Sequence, residues 1–262
     1  MSALGQHLML RFTDDRIMTP SLAARRAFAR AALRVGRRFG LLFFAAAATH
    51  SHTVLIATES EAARFAQALE CALRWALQVP VPFERYRRKP VLSQAHLYNL
   101  RSYVLGNARR HGDQVDPYLE ASNLPDLLGL RVIGAYTCGR ARELLPKLTR
   151  EQLLEHLGLS DLGEGDDVRH LADSAAASVA APTLAGRQSL VVQARIAATH
   201  LGLALGASKG WLARHLGLSK SGLRHVVRQT PDPSLAKAIR RQLWLREHLP
   251  LAPANQPIPS KQ

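Results

Sequence analysis

The stretch that most limits what this chain can become is residues 41–48, Leu-Leu-Phe-Phe-Ala-Ala-Ala-Ala, an unbroken apolar run. Such a run, with no polar alternation, fits a strand buried on both faces in the centre of a sheet. A second run, Thr53-Val54-Leu55-Ile56-Ala57, follows after only Thr49-His50-Ser51-His52 and reads as the next strand. Residues two apart on a strand point to one face, so His50 and His52 at its start project together.

The flanking sequence supplies the rest of a sheet-and-helix unit. Residues 7–13 read as a first strand, broken by Asp14-Asp15. Pro20-Ser21 opens a helix running to about residue 39 and ended by Gly40. Its arginines, Arg25, Arg26, Arg30, Arg34, Arg37 and Arg38, are interleaved with Leu22, Ala29, Leu33 and Val35, and a solvated helix face is their default reading. Residues 59–78 make a second amphipathic helix, with Ala63, Phe65, Leu69, Leu73 and Leu77 at helical spacings, stopped by Pro80 and Pro82. Pro90-Val91-Leu92-Ser93 is a short last strand, and a helix from about 94 to 110 follows, ended by Gly112. Strand, helix, strand, strand, helix, strand is the order of a ferredoxin-like α+β domain.

Lys and Arg number 35 against 20 Asp and Glu, a formal net charge of +15. That surplus points to a polyanionic partner, and with no long uncharged apolar span the expected partner is nucleic acid and not membrane. Cys71, in an apolar helical run, and Cys138, in the loop-like Thr137-Cys138-Gly139, belong to no zinc or redox spacing and read as free thiols. With no secretory signal pattern at the start, a cytoplasmic, nucleoid-associated protein is expected.

Tyr103-Val104-Leu105-Gly106-Asn107 falls in the helix from residue 94, where residues four apart stack, so Tyr103 and Asn107 share a face. Two imidazoles, a carboxamide and a phenol then converge between sheet and helix. That set suits a metal ion that polarises a phosphodiester and a tyrosine that attacks it, although a His-x-His pair by spacing alone is more often packing than ligation. Arg85, Arg87, Arg88 and Lys89 precede the last strand and suit a phosphate backbone, with Tyr86 among them able to stack on an unpaired base. An ordinary charged loop is the alternative.

Residues 7–11, His50-Ser51-His52, the basic 85–89 stretch and Tyr103 to Asn107 resemble, in order and separation, the HUH single-tyrosine transposases. Specifically, they resemble the REP-associated tyrosine transposases (IS200-like), whose signature is Tyr-Ile-His-x-Asn-Pro. The resemblance covers most of the first 112 residues. Ser51 stands where that family has a bulky apolar residue, Ala47-Ala48-Thr49 replaces Met-Pro-Asn, and Ala108 stands where a proline is usual. The resemblance implies Mg²⁺ or Mn²⁺ held by His50, His52 and Asn107, and Tyr103 as the nucleophile that becomes a 5′-phosphotyrosine. It also implies single-stranded or hairpin DNA as substrate, and a monomer or homodimer. Tyr98, off the face of Asn107, is the competing nucleophile.

A second unit lies within residues 209–229. Ala213 is small where two helices cross, Gly217 supplies a left-handed turn, and Leu216, Leu218, Leu223 and Val226 fill the wedge. Ser219 caps a second helix that presents Lys220, Ser221, Arg224, His225 and Arg228, as in a helix-turn-helix. A helical hairpin without DNA contact is the alternative. Residues 190–205 read as a support helix and 234–249 as another basic helix. Residues 175–182 are either a helix end or a linker. The expected division is an HUH domain over 1–112, a helical connector over 113–185, an all-α DNA-binding domain over 186–249 and a disordered tail over 250–262. Two functions compete: a metal-dependent single-stranded DNA endonuclease and strand transferase, or an inactive, domesticated DNA-binding regulator.

Overall fold

Four strands, β1 (Gly5–Arg11), β2 (Leu41–Ala47), β3 (His50–Leu55) and β4 (Arg87–Val91), pair antiparallel in the order β2-β3-β1-β4. The computed structural model describes residues 3–107 and 116–249. The architecture is α+β, and the helix end expected at Gly112 and the tail over 250–262 lie outside the described residues.

Two helices, α1 (Leu22–Gly36) and α2 (Glu59–Leu77), cover one face of the sheet, where Leu8, Leu10, Phe28, Phe44, Leu55 and Phe65 form a core. Fully burying a side chain such as Phe28 or Phe65 stabilises the fold by roughly 1.5–3 kcal/mol. Ser21 caps α1 by accepting from Ala24 N at 3.2 Å, and Thr58 with Glu61 makes a reciprocal capping box on α2. α1 stops earlier than the expected residue 39, and a turn leads to Gly40 at φ +69°. Glycine is needed there for its backbone, and because a Cβ would collide with the Ile56 carbonyl oxygen.

The other face is packed by α3 (Gln94–Leu105), capped by Ser93, through Leu97, Leu100 and Val104 onto Phe43, Val54 and Val91. β2 is buried along its whole length, as its composition requires, but it stands at the end of the sheet and not in the centre. Residues 121–123 take the place of a further strand: Ala46 N donates to Ala121 O at 3.0 Å and Asn123 N to Phe44 O at 3.1 Å. The Asn123 carboxamide adds a bond from Phe44 N at 3.1 Å and one to Leu42 O at 2.8 Å. An apolar run cannot tell a neighbouring strand from a covering loop, because both satisfy the same backbone groups.

Beyond α3 the described chain is helical: α4 (Leu124–Leu127), α5 (Ala135–Leu144), α6 (Arg150–Leu154), α7 (Leu171–Ala177), α8 (Ser189–Ala204), α9 (Lys209–His215), α10 (Lys220–Val227) and α11 (Pro233–His248). Residues 175–182 are, of their two readings, a helix end: α7 runs to Ala177, and Ser178 to Ala181 are buried. Cys138 lies in α5 and not in a loop, and both cysteines are free thiols.

Charged side chains tie these helices to the sheet unit. Arg26 and Arg246, each 2% exposed, both pair with Glu120 and with Asp173. The Arg246–Asp173 and Arg26–Asp173 contacts are each 2.6 Å. Arg131, also 2% exposed, pairs with Asp126 and donates to the Glu120 carbonyl oxygen at 3.0 Å. The expected solvated arginine face of α1 is corrected in part, since Arg25 and Arg26 are buried, Arg30 is half-buried and only Arg34, Arg37 and Arg38 are exposed. Among the described residues, no helix is long and apolar enough to cross a membrane.

Candidate active site

Alternation along β3 sends Ser51, Thr53 and Leu55 toward α1 and α2, and His50, His52 and Val54 toward α3. The register sets Met9 opposite His52 and His7 opposite Val54, which makes His7 a diagonal neighbour of His52 on the same face. His7 Nε2 lies 3.0 Å from His52 Nδ1. The His50 ring stands perpendicular to that of His52, with centroids 4.8 Å apart. From α3, Tyr103 meets the His52 ring edge-on at 5.1 Å and the His7 ring at 6.2 Å. Three imidazoles and one phenol therefore gather on a single face, with His52 only 2% exposed.

Burial, reinforced by the charges of Lys89 and His96, pushes His7 down to about 4 from 6.5. His7 is consequently neutral at pH 7 and can either donate to His52 Nδ1 or accept from it. Only the second arrangement leaves His52 Nε2 with a lone pair for a cation, so the tautomer of His7 decides whether His52 can be a ligand.

Tyr98, the competing nucleophile, lies under the Arg101 guanidinium at 4.6 Å, and Tyr103 is the tyrosine that faces the histidines. Asn107 departs from expectation. α3 ends at Leu105 and Gly106 caps it at φ −88°, ψ 4°, so Tyr103 and Asn107 are not stacked on one continuous helix. Asn107 is fully buried and neither atom of its carboxamide has a hydrogen-bond partner, so it is bonded to neither histidine nor to Tyr103. Among the described residues no group of three or more His, Cys, Asp or Glu side chains is arranged to hold a metal ion. A cation at His50 and His52 needs another kind of donor, and a buried, unsatisfied carboxamide is of the right chemistry.

β4 begins at Arg87, so three of the four basic candidates are in the strand and not before it. Their register splits them. Lys89 is opposite His7 and Arg87 opposite Met9, on the histidine face, whereas Arg88 is opposite Leu8, donates to Gln6 Oε1 at 3.0 Å and pairs with Glu59. Arg85 is exposed ahead of the strand.

In the C-terminal helices, Lys220, Ser221, Arg224, His225 and Arg228 are all exposed, opposite the buried Leu223 and Val226. Gly217, at φ +63°, turns the chain between α9 and α10, and Ser219 caps α10 by accepting from Gly222 N at 3.0 Å. Leu212, Leu216 and Leu223 are buried in one apolar core with residues of α7, α8 and α11, with Leu218 half-buried against it, and Val226 is also buried.

His7 is the site residue that sequence reasoning missed. It belongs to the first strand of the quoted motifs, but only the β1–β3 register brings it to His52. Comparison with protein-family models, with curated proteins and with solved structures gives no match.

Proposed function

We propose that this chain is a metal-dependent single-stranded DNA nuclease and strand transferase of the HUH single-tyrosine kind, resembling the REP-associated tyrosine transposases. The observation that carries the reading is the ring contact of Tyr103 with His52 and His7 on one sheet face. Support comes from the topology. Strand order β2-β3-β1-β4 with βαββαβ connectivity is that of a ferredoxin-like fold, and it leaves the face opposite α1 and α2 for the histidines. A helix-turn-helix of α9 and α10 would add a second DNA contact, with Lys220, Arg224 and Arg228 on phosphates and Ser221 and His225 near base edges.

In this reading His50, His52 and Asn107 would hold Mg²⁺ or Mn²⁺. Such a cation, when bound, draws charge from a nonbridging phosphate oxygen. Arg87 and Lys89 hold the adjoining backbone on the same face, while Arg85 meets it ahead of the strand and Arg88 stays with Glu59. The Tyr103 oxygen gives up its proton to water and forms a bond to phosphorus as the bond to the 3′ oxygen breaks, and that oxygen takes a proton from water, leaving a 5′-phosphotyrosine and a free 3′-OH. The covalent link conserves the bond energy, so the strand can be rejoined without a nucleotide cofactor. A cytoplasmic, nucleoid-associated location and action as a monomer or homodimer go with this reading.

The test mixes the protein with labelled single-stranded, palindrome-rich DNA in Mn²⁺ or EDTA and looks for a covalent adduct on denaturing gels. A metal-dependent adduct absent from Tyr103→Phe and from His52→Ala supports the reading. DNA binding without any adduct would instead make the chain a non-enzymatic DNA-binding regulator acting through α10.

A further inference from the structure

On the far side of the sheet from the histidines, α1, α2 and residues 181–191 enclose a groove of about 600 Å³. Small apolar side chains of both helices line it, and Arg30, Arg34 and Arg38 stand along one wall. These arginines are one helical turn apart, a rise of about 6 Å per step, comparable with the spacing of successive phosphates on an extended strand. At the rim is Trp75, 87% exposed. Its ring offers a flat, aromatic face to whatever enters the groove.

The wall is positively charged and held in place. Arg30 donates to the Val179 carbonyl oxygen at 2.9 Å and to Gln188 Oε1 at 2.5 Å. Both acceptors are neutral, so they fix the guanidinium without neutralising it. Burial, and then the like charge of Arg34 beside it, depress the basicity of Arg30. Arg34 and Arg38 make no ion pair among the described residues, and no Asp or Glu is among those lining the groove. Two like charges side by side with no carboxylate present the field an anion completes.

We propose that this groove binds an unpaired segment of nucleic acid, its phosphates on Arg34 and Arg38 and a base stacked on Trp75. An acidic peptide would satisfy the arginines but not the indole. Duplex is excluded because its bases are already stacked and the volume suits one or two nucleotides. The inference extends the proposed function but does not depend on the chemistry at Tyr103, which lies across the sheet.

The experiment uses the full chain with Tyr103→Phe, so that nothing is cut, and with Trp211→Phe and Trp244→Phe, so that Trp75 is the one indole. A fluorescent oligothymidylate is titrated by anisotropy at several salt concentrations, and Trp75 emission is followed with the unlabelled oligomer. Quenching of Trp75, and weakening by about tenfold or more in Trp75→Ala, are expected from the loss of one stacked base. Arg34→Gln with Arg38→Gln should lower the salt slope by about 1.4, at about 0.7 per phosphate contact on a single strand. Both positions are exposed, so circular dichroism should be unchanged. The proposal is overturned if affinity and slope stay put in these variants, or if polyglutamate competes as well as the oligomer. A Trp75-dependent affinity in a protein that forms no adduct with Tyr103 intact would sink the nuclease reading alone. An adduct with no Trp75 effect would sink the groove alone.

Discussion

Replacing Asp116 by asparagine should stabilise the protein at pH 8 and do little at pH 4.5. Asp116 is 9% exposed, its Oδ1 has no hydrogen-bond partner, and the Arg25 guanidinium is 3.8 Å from Oδ2. Burial pushes this carboxyl up to about 6; Arg25 offsets the rise only in part, and the nearby Glu120 adds to it. In the unfolded chain an aspartate titrates near 3.9. Between those values the folded state holds a proton that the unfolded state has released, so stability falls as pH rises through the window. Above it the cost is roughly 3 kcal/mol, of which about 2 kcal/mol is recovered by pH 4.5. His7 has the opposite sign. It is held at about 4 against 6.5, beside Lys89, His96 and His52, so its contribution grows as pH rises through that range and by a similar amount. The two nearly cancel in the wild type, whose profile alone would hide both. Urea denaturation in EDTA at pH 4.5 and 8 separates them: Asp116→Asn should exceed wild type by about 2–3 kcal/mol at pH 8, and by far less at pH 4.5. A mutant advantage of the same size at both pH values would refute the reasoning.

Thr53 Oγ1 is buried without a partner, so Thr53→Val should raise the urea midpoint by the equivalent of about 1 kcal/mol, and a drop would show an unrecognised bond. Glu120→Gln leaves Arg26 and Arg246 short of a carboxylate and should cost about 3–5 kcal/mol, read as a lower midpoint at unchanged slope. Asn123→Ala removes two side-chain bonds to β2 and should cost about 2 kcal/mol or more in the same assay. On the proposed function, His7→Phe removes the ring that sets the His52 tautomer and should weaken Mn²⁺ binding by about 10–100-fold, measured by paramagnetic resonance of the free ion.

How much of this was legible depended on whether a residue's role is local. Strands, caps and helix starts are local: Ser21 and Ser219 cap the helices they are expected to open, and Thr58 and Ser93 cap helices whose starts at 59 and 94 are as expected. His50 and His52 were legible as a pair because period two is a property of one strand. His7 was not, because its neighbour is chosen by register across 45 residues. The 85–89 stretch shows the same limit: its four basic residues read as one cluster, yet pleating gives Lys89 and Arg87 to the histidine face and Arg88 to Glu59. Stacking of Tyr103 over Asn107 assumed an unbroken helix, and Gly106 breaks it.

The positive charge of the chain also has to be divided before it can be used as an argument about partners. Arg26, Arg131 and Arg246 are buried against carboxylates, so each adds little to the outer field. Arg26 and Arg246 instead clamp α1, α7 and α11 together through Glu120 and Asp173, while Arg131 holds Asp126. Because burial makes such pairs costly to break, α7 and α11 are held in a fixed relation to the sheet, and α10 packs into the same core as they do through Leu223. A polyanion that touched both Tyr103 and α10 would therefore have to span a set distance, with its own length and fold deciding whether it reaches. A folded or bent strand meets that requirement more readily than a short linear one. On the proposed function, the buried ion pairs would thus act on recognition through geometry, while Arg34, Arg38, Arg87 and Lys89 would act through charge.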